Sequence, residues 1–165
     1  SNLSFGAGDD AWLFDDAIAC NDAYVDKDAT LRGRAAACGN AYVSRGAVLM
    51  GHARAEDDAY IRGAVLTDHA RASGFAVIVH NEDTGGVPAL SGHSAVYGRV
   101  SGDIRLAGTA LVFTGEELLN DTLDTLVINT AKRTIIRGLG RNTLMPRGRQ
   151  VYLQKKKEKV RRDER

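Results

Sequence analysis

The sequence predicts an all-β solenoid with three flat faces, eighteen residues to the coil, and two superimposed periodicities carry that prediction. The first is a beat of six. Ala11, Ala17, Ala23, Ala29, Ala35, Ala41, Ala47, Ala53 and Ala59 follow one another at that interval, and after one dropped residue Ala64, Ala70 and Ala76 resume it. The second is a beat of eighteen. The positions two after each alanine sort by threes into a leucine set (Leu13, Leu31, Leu49, Leu66), an alanine set (Ala19, Ala37, Ala55, Ala72) and a β-branched set (Val25, Val43, Ile61, Ile78). A third observation is compositional: only 6% of the chain is aromatic, as suits a narrow interior of small and aliphatic side chains.

Each six-residue unit reads small, outward, apolar, outward, then a polar turn. Alternation with period two is the signature of a strand, and the Gly, Asp, Asn and Arg between units are turn formers. A helix repeats its face every 3.6 residues, which a period of six fits badly. The residue dropped between Ile61 and Ala64 preserves the order of the three sets and predicts a shortened corner. Regular coils then stop at "VHNEDTGGVPALSGH", where Gly85, Gly86 and Pro88 predict a loop excursion over 79–89. Leu90 is placed as the next member of the leucine set. Val100, Leu106 and Val112, six apart, predict one further coil.

The segment "TLDTLVINTAKRTIIR" (122–137) holds two β-rich runs joined by a polar link. It is read as a β-hairpin or paired strands capping the open end against edge pairing. The expected organisation is a solenoid over 5–114, a C-terminal β cap over 115–149, and a basic tail or short helix over 150–165.

"VDKDAT" (25–30) and "LRGRAA" (31–36) resemble the motif of the hexapeptide-repeat proteins, an aliphatic residue followed by a small or acidic one, two of any kind, and a small one. The similarity covers about residues 11–78 well and 88–112 less cleanly. It implies a left-handed parallel β-helix, an exception to the usual right-handed crossover. Many members are acyltransferases, usually trimeric; others are carbonic anhydrases or have no assigned activity. The "NAYV" and "HAR" units look most like the bacterial and phage-type members without an assigned activity.

Charge is unevenly divided. Residues 1–131 hold 9 basic and 18 acidic side chains, a net of −9, whereas 132–165 hold 13 basic and 3 acidic, a net of +10. The tail from Lys155 to Arg165, with Arg133, Arg137, Arg141, Arg147 and Arg149, could meet nucleic-acid phosphates in a salt-sensitive way. A solvated tail, or one docked on an acidic body, is the preferred reading. "RGLGRN" (137–142) lacks the spacing and the Lys-Ser/Thr ending of a phosphate-binding loop. No apolar run approaches the roughly 18 residues of a membrane helix, and no charged-then-apolar leader opens the chain. Two cysteines make no disulfide framework, so the expected compartment is a reducing cytoplasm. Cys20 and Cys38, one coil apart in the same outward slot, are expected to be free surface thiols, because in-register neighbours point the same way and strain a disulfide torsion.

Four groups of side chains are candidates for function. His52, His69 and His93 fall on one corner of successive coils, above Asp16 and Arg34. They are weak metal candidates, or a trimer-interface acid/base, against the simpler reading of polar turn residues. The spacing the resemblance requires for carbonic anhydrase chemistry is missing, and no metal is expected. His80 borders the excursion beside Glu82 and Asp83. In acyltransferases of the family a histidine near such a loop and a subunit boundary acts as general base, deprotonating the acceptor as it attacks an acyl thioester; acetyl-CoA or another acyl-CoA is then the implied cofactor. The third group is an apolar stripe outside the leucine face, Trp12, Phe14, Val48, Met50 and Val65, of a kind monomers rarely leave bare. The fourth is a ladder of Tyr24, Tyr42 and Tyr60, either sheet packing or a binding surface.

Two functions follow as expectations. The favoured one is a non-catalytic solenoid that binds a protein partner or assembles with itself, with a trimer the preferred homo-oligomer. The alternative is a trimeric O- or N-acyltransferase using His80.

Overall fold

The computed structural model describes Leu3 and residues 10–130, 132–136, 142–144 and 150–153. Within them the chain is a parallel β-solenoid of about seven turns, all-β, with three sheets forming its three faces. Strands are mostly two residues long, such as Trp12–Leu13 and Ile18–Ala19. That is the expected consequence of a six-residue unit that must also turn a corner.

Stacking follows the three residue sets. Leu13 lies on Leu31, Leu31 on Leu49, Leu49 on Leu66, Leu66 on Leu90 and Leu90 on Leu106. Ala19, Ala37, Ala55 and Ala72 stack on the second face and continue into Val96 and Val112. Val25, Val43, Ile61 and Ile78 stack on the third and continue into Val100 and Leu118. We call these the leucine, alanine and tyrosine faces. From the second coil upward the inward members are completely buried, Leu31, Ala37, Val43, Leu49, Ala55 and Ile61 among them.

The corner alanines have a separate reason. At the regular corners the alanine N–H closes the turn before it, as in Ala17 N–H to Phe14 O at 3.2 Å and Ala29 N–H to Asp26 O at 3.0 Å. Two faces converge there, and a methyl group is what the interior holds: Ala29, Ala35, Ala41, Ala47 and Ala53 have no exposed surface. The coils are zipped by backbone hydrogen bonds, as in Thr30 N–H to Ala47 O at 2.8 Å and Val48 N–H to Ala64 O at 2.9 Å.

Several turns place an aspartate in the left-handed region, where its short side chain is tolerated. Asp15, Asp57 and Asp68 have φ of 58°, 56° and 57°. Their carboxylates accept the N–H of the next coil's glycine, Gly33, Gly74 and Gly92, at 3.0 Å in each case. Aspartate in the turn slot therefore adds an inter-coil bond that glycine in the same slot cannot make.

The shortened corner and the excursion both fall where expected. Val48 pairs with Val65, seventeen residues on, so the dropped residue is absorbed at Arg62-Gly63 without loss of register. Leu66 pairs with Leu90, so the segment between Val79 and Ala89 is an insertion at that same corner.

Two expected boundaries need correction. Glu117–Asn120 belongs to the sixth coil, paired with the Arg99 strand, rather than to a cap. Gln150–Leu153, expected to open a basic tail, is a strand laid parallel on Glu117–Asn120. In both cases a short run holding adjacent apolar residues extends the ladder. The hairpin is present: Thr125–Asn129 pairs antiparallel with Lys132–Ile136, which pairs antiparallel with Asn142–Leu144. Buried Asn120 anchors its entry. Its amide donates to Asp103 O at 2.9 Å and Asp124 O at 2.6 Å, while its Oδ1 accepts from Thr122 N–H at 3.0 Å. The expected basic tail after residue 153, with its nucleic-acid reading, lies outside the described residues.

Candidate functional site

The corner between the tyrosine and leucine faces differs from the other two. Successive coils cross it as Asp26-Lys27-Asp28-Ala29, Ser44-Arg45-Gly46-Ala47, Arg62-Gly63-Ala64 and then His80 with its loop. The first two crossings use two central residues with positive φ, Lys27 and Asp28 (48° and 62°), then Arg45 and Gly46 (52° and 70°). The third is one residue short, and a notch results. An open cleft of about 450 Å³ lies here, lined by Lys27, Asp28, Arg45, Gly46 and His80.

Gly63 is what lets His80 into the notch. Its φ is 61°, and a methyl group on it would collide with the imidazole. His80 N–H donates to Arg62 O at 3.0 Å, and Nδ1 lies 3.2 Å from the same carbonyl. A carbonyl only accepts, so Nδ1 carries the proton and the neutral ring keeps its free lone pair on Nε2. Glu82 Oε1 stands 3.8 Å from Nε2 and is held in an ion pair by Arg62. The structure thus brings His80 and Glu82 together, but the group that orients the ring is the Arg62 carbonyl. Asp83 is exposed and gives its N–H to Asn81 Oδ1 at 2.9 Å.

The excursion is a folded loop. Asn81 N–H donates to Gly86 O and Gly85 N–H to Asn81 O, both at 2.8 Å. Asn81 Nδ2 reaches Asp121 Oδ1 at 3.1 Å, fastening the loop to the sixth coil.

One column of buried polar groups runs beside the cleft on the tyrosine face. Asp26 and Ser44 are 5% and 2% exposed, and Arg62 follows them one coil higher. The Tyr42 hydroxyl donates to the Asp26 carboxylate. Burial, reinforced by that bond to a carboxylate, pushes the Tyr42 phenol up to about 12, with Ser44 pulling the other way. Asp26 Oδ1 and Arg62 Nε are buried with no hydrogen-bond partner among the described residues. None of this pairing was legible in the sequence beyond the neighbourhood of Asp26, Ser44 and Arg62.

The tyrosine ladder is as the register predicts. Ring centroids are 5.8 Å apart from Tyr24 to Tyr42 and 5.5 Å from Tyr42 to Tyr60, with planes within 13°. The ring faces between neighbours are consumed by one another. His52, His69 and His93 stack likewise at 4.8 and 4.7 Å. Near-parallel imidazoles aim their nitrogens side by side, and ligands to one ion must converge. No group of three or more His, Cys, Asp or Glu among the described residues is arranged to hold a metal.

The apolar stripe is shorter than expected. Trp12 and Phe14 are 52% and 42% exposed and stack on each other at 5.9 Å. Val48, Met50 and Val65 are half-buried, and Thr30 and Arg32 interrupt the stripe on the coil between. The Arg32 guanidinium sits over the Phe14 ring, 5.5 Å from its centroid. Ile18, 51% exposed, adds apolar surface to the same first coil.

The cysteine expectation is overturned. Cys20 and Cys38 form a disulfide, their Cα atoms 4.8 Å apart. The ladder spacing lies inside the range a disulfide spans, and the in-register placement that argued against bonding instead brings the two sulfurs together. The inference of a reducing compartment therefore loses its basis. No helix among the described residues is long and apolar enough to cross a membrane.

No family model matches the chain, and neither does any curated protein or any solved structure.

Proposed function

We propose that the chain is a non-catalytic solenoid of the hexapeptide-repeat type that assembles with itself, as a trimer, through its leucine face. The observation that carries this reading is the pair Trp12 and Phe14, large, exposed and stacked on a flat, hydrogen-bonded sheet. Aromatic anchors on a rigid surface lose little side-chain freedom on binding, and such residues dominate interface energetics. Val48, Met50 and Val65 extend the contact along the face. Sedimentation equilibrium of the full chain is expected to give three times the chain mass. Trp12→Ser with Phe14→Ser is expected to shift the population to monomer without lowering the β content. A wild-type monomer at every concentration would contradict this reading.

A specific observation also favours a second reading, an acyl-CoA-dependent acyltransferase. His80 is held by Arg62 O in the tautomer that leaves Nε2 able to accept a proton, and it lines an open cleft. A general base needs that orientation. Acetyl-CoA at millimolar concentration should then raise the melting temperature, and His80→Ala should abolish acyl transfer. Absence of both effects leaves the assembly reading alone.

A further inference from the structure

We infer that the Cys20–Cys38 disulfide is a redox switch on self-assembly: a dithiol that reduces it releases the first coil and, with it, the surface through which chains associate. The first coil carries Trp12 and Phe14, so the switch rests on the assembly proposed through them.

The first coil is the end of a stack. Its strands Trp12–Leu13 and Ile18–Ala19 are terminal members of the leucine and alanine sheets, each with a neighbour on one side. Burial agrees. Leu13, Ala17 and Ala19 are half-buried, whereas Leu31, Ala35 and Ala37 on the next coil have no exposed surface. A coil with one neighbour and a thin core is the part of a solenoid that opens first. Backbone bonds hold it to the second coil, as in Phe14 N–H to Leu31 O and Cys20 N–H to Ala37 O, both at 2.9 Å. The chain's two cysteines add one covalent tie across the same pair of coils, closing a span of 18 residues. On the chain-entropy account such a closure suppresses opening about a hundredfold.

Trp12 and Phe14 are anchors only while that coil is closed. They stack on each other, and Arg32 of the second coil covers Phe14, so the rings are placed by the seating of the first coil on the second. In an opened coil each association must first order the segment, and the apparent affinity falls with the fraction of closed chains.

The bond is open to exchange. Cys20 and Cys38 are half-buried, and by the alternation of the strand they lie outside the inward Ala19 and Ala37. A thiolate of the dithiol attacks one sulfur, the S–S bond breaks, and the other cysteine leaves as a thiolate that takes up a proton. The second thiol of the reagent then displaces the first cysteine and closes a disulfide within the reagent. Two electrons and two protons pass from dithiol to protein.

The test is sedimentation equilibrium of the full chain, oxidised and in dithiothreitol. The oxidised chain is expected to be a trimer, and reduction should raise the concentration at which it dissociates about tenfold or more. Replacing dithiothreitol with oxidised glutathione should restore the trimer. Cys20→Ser with Cys38→Ser should behave as the reduced chain and respond to neither reagent. Trp12 is the one tryptophan of the chain. Its fluorescence anisotropy, read on dilute monomer, should fall on reduction while circular dichroism retains the β signal of the upper coils. Equal dissociation in the two states would overturn the switch and leave the assembly reading standing. A monomer in both states would overturn the assembly reading and the switch together. Loss of the whole β signal on reduction would also overturn the switch, because the bond would then hold the entire fold rather than one coil.

Discussion

Tyr42 and Asp57 each tie a titration to the folded state. Tyr42 is raised from 10.0 to about 12, so its folded form holds the phenolic proton more tightly than the unfolded chain. The stability it contributes is complete below pH 10 and is lost as pH rises toward 12. Tyr42→Phe should therefore be less stable than wild type at neutral pH, and the gap in denaturation midpoint should close across that alkaline window. Asp57 has the opposite sign. Hydrogen bonds from the Ser73 hydroxyl and the Gly74 N–H hold its carboxyl below the ordinary value of 3.8. Its contribution is present above that value and lost as pH falls below it. Asp57→Asn should accordingly flatten the acid limb of the stability profile, seen in urea midpoints measured down the pH scale. Core size is as sharply set. Ala37 is completely buried between Ala19 and Ala55, and Ala37→Leu should cost about 1–3 kcal/mol or more through overpacking.

At the scale of coils and corners, the disulfide is the element with a clear energetic consequence. Cys20–Cys38 closes a span of 18 residues between the first two coils. On the chain-entropy account such a loop stabilises by about 3 kcal/mol. Reduction should lower the urea midpoint accordingly and speed amide exchange first in the two lowest coils. Uniform exchange across all coils would argue against a local staple. Elements were legible in proportion to their periodicity. Leu13 to Leu66 could be aligned by counting, and the Arg62-Gly63 shortening by one missing residue, whereas the register after the excursion could not. The stacks of His52, His69 and His93 followed from the same count. The Tyr42–Asp26 bond, the Arg62–Glu82 pair and the seating of His80 on Gly63 were not legible. They depend on side-chain direction at a corner, which register alone does not fix. The cysteine pair shows the same limit: the spacing was plain in the sequence, but whether two neighbouring thiols bond depends on how each side chain turns.

At the scale of the whole molecule, the solenoid is a quasi-one-dimensional stack in which each coil touches only its neighbours. Its function therefore lies in what the register lines up along an outer face or a corner. The first coil concentrates exposed apolar surface at Trp12, Phe14 and Ile18, while the open cleft lies on the corner between the tyrosine and leucine faces. The seating of His80 over Gly63 requires seventeen residues, and not eighteen, between the third coil and the fourth. Paired cysteines measure that step directly. Arg54 and Arg71 are exposed register partners on the alanine face. Oxidation of the Arg54→Cys, Arg71→Cys chain should yield a 54–71 disulfide, identified by peptide mass spectrometry, as readily as the native Cys20–Cys38 bond. The Arg54→Cys, Ala95→Cys chain, its positions two coils apart, should yield none. No 54–71 bond, or equal cross-linking of the two pairs, would contradict the stack on which the fold is built.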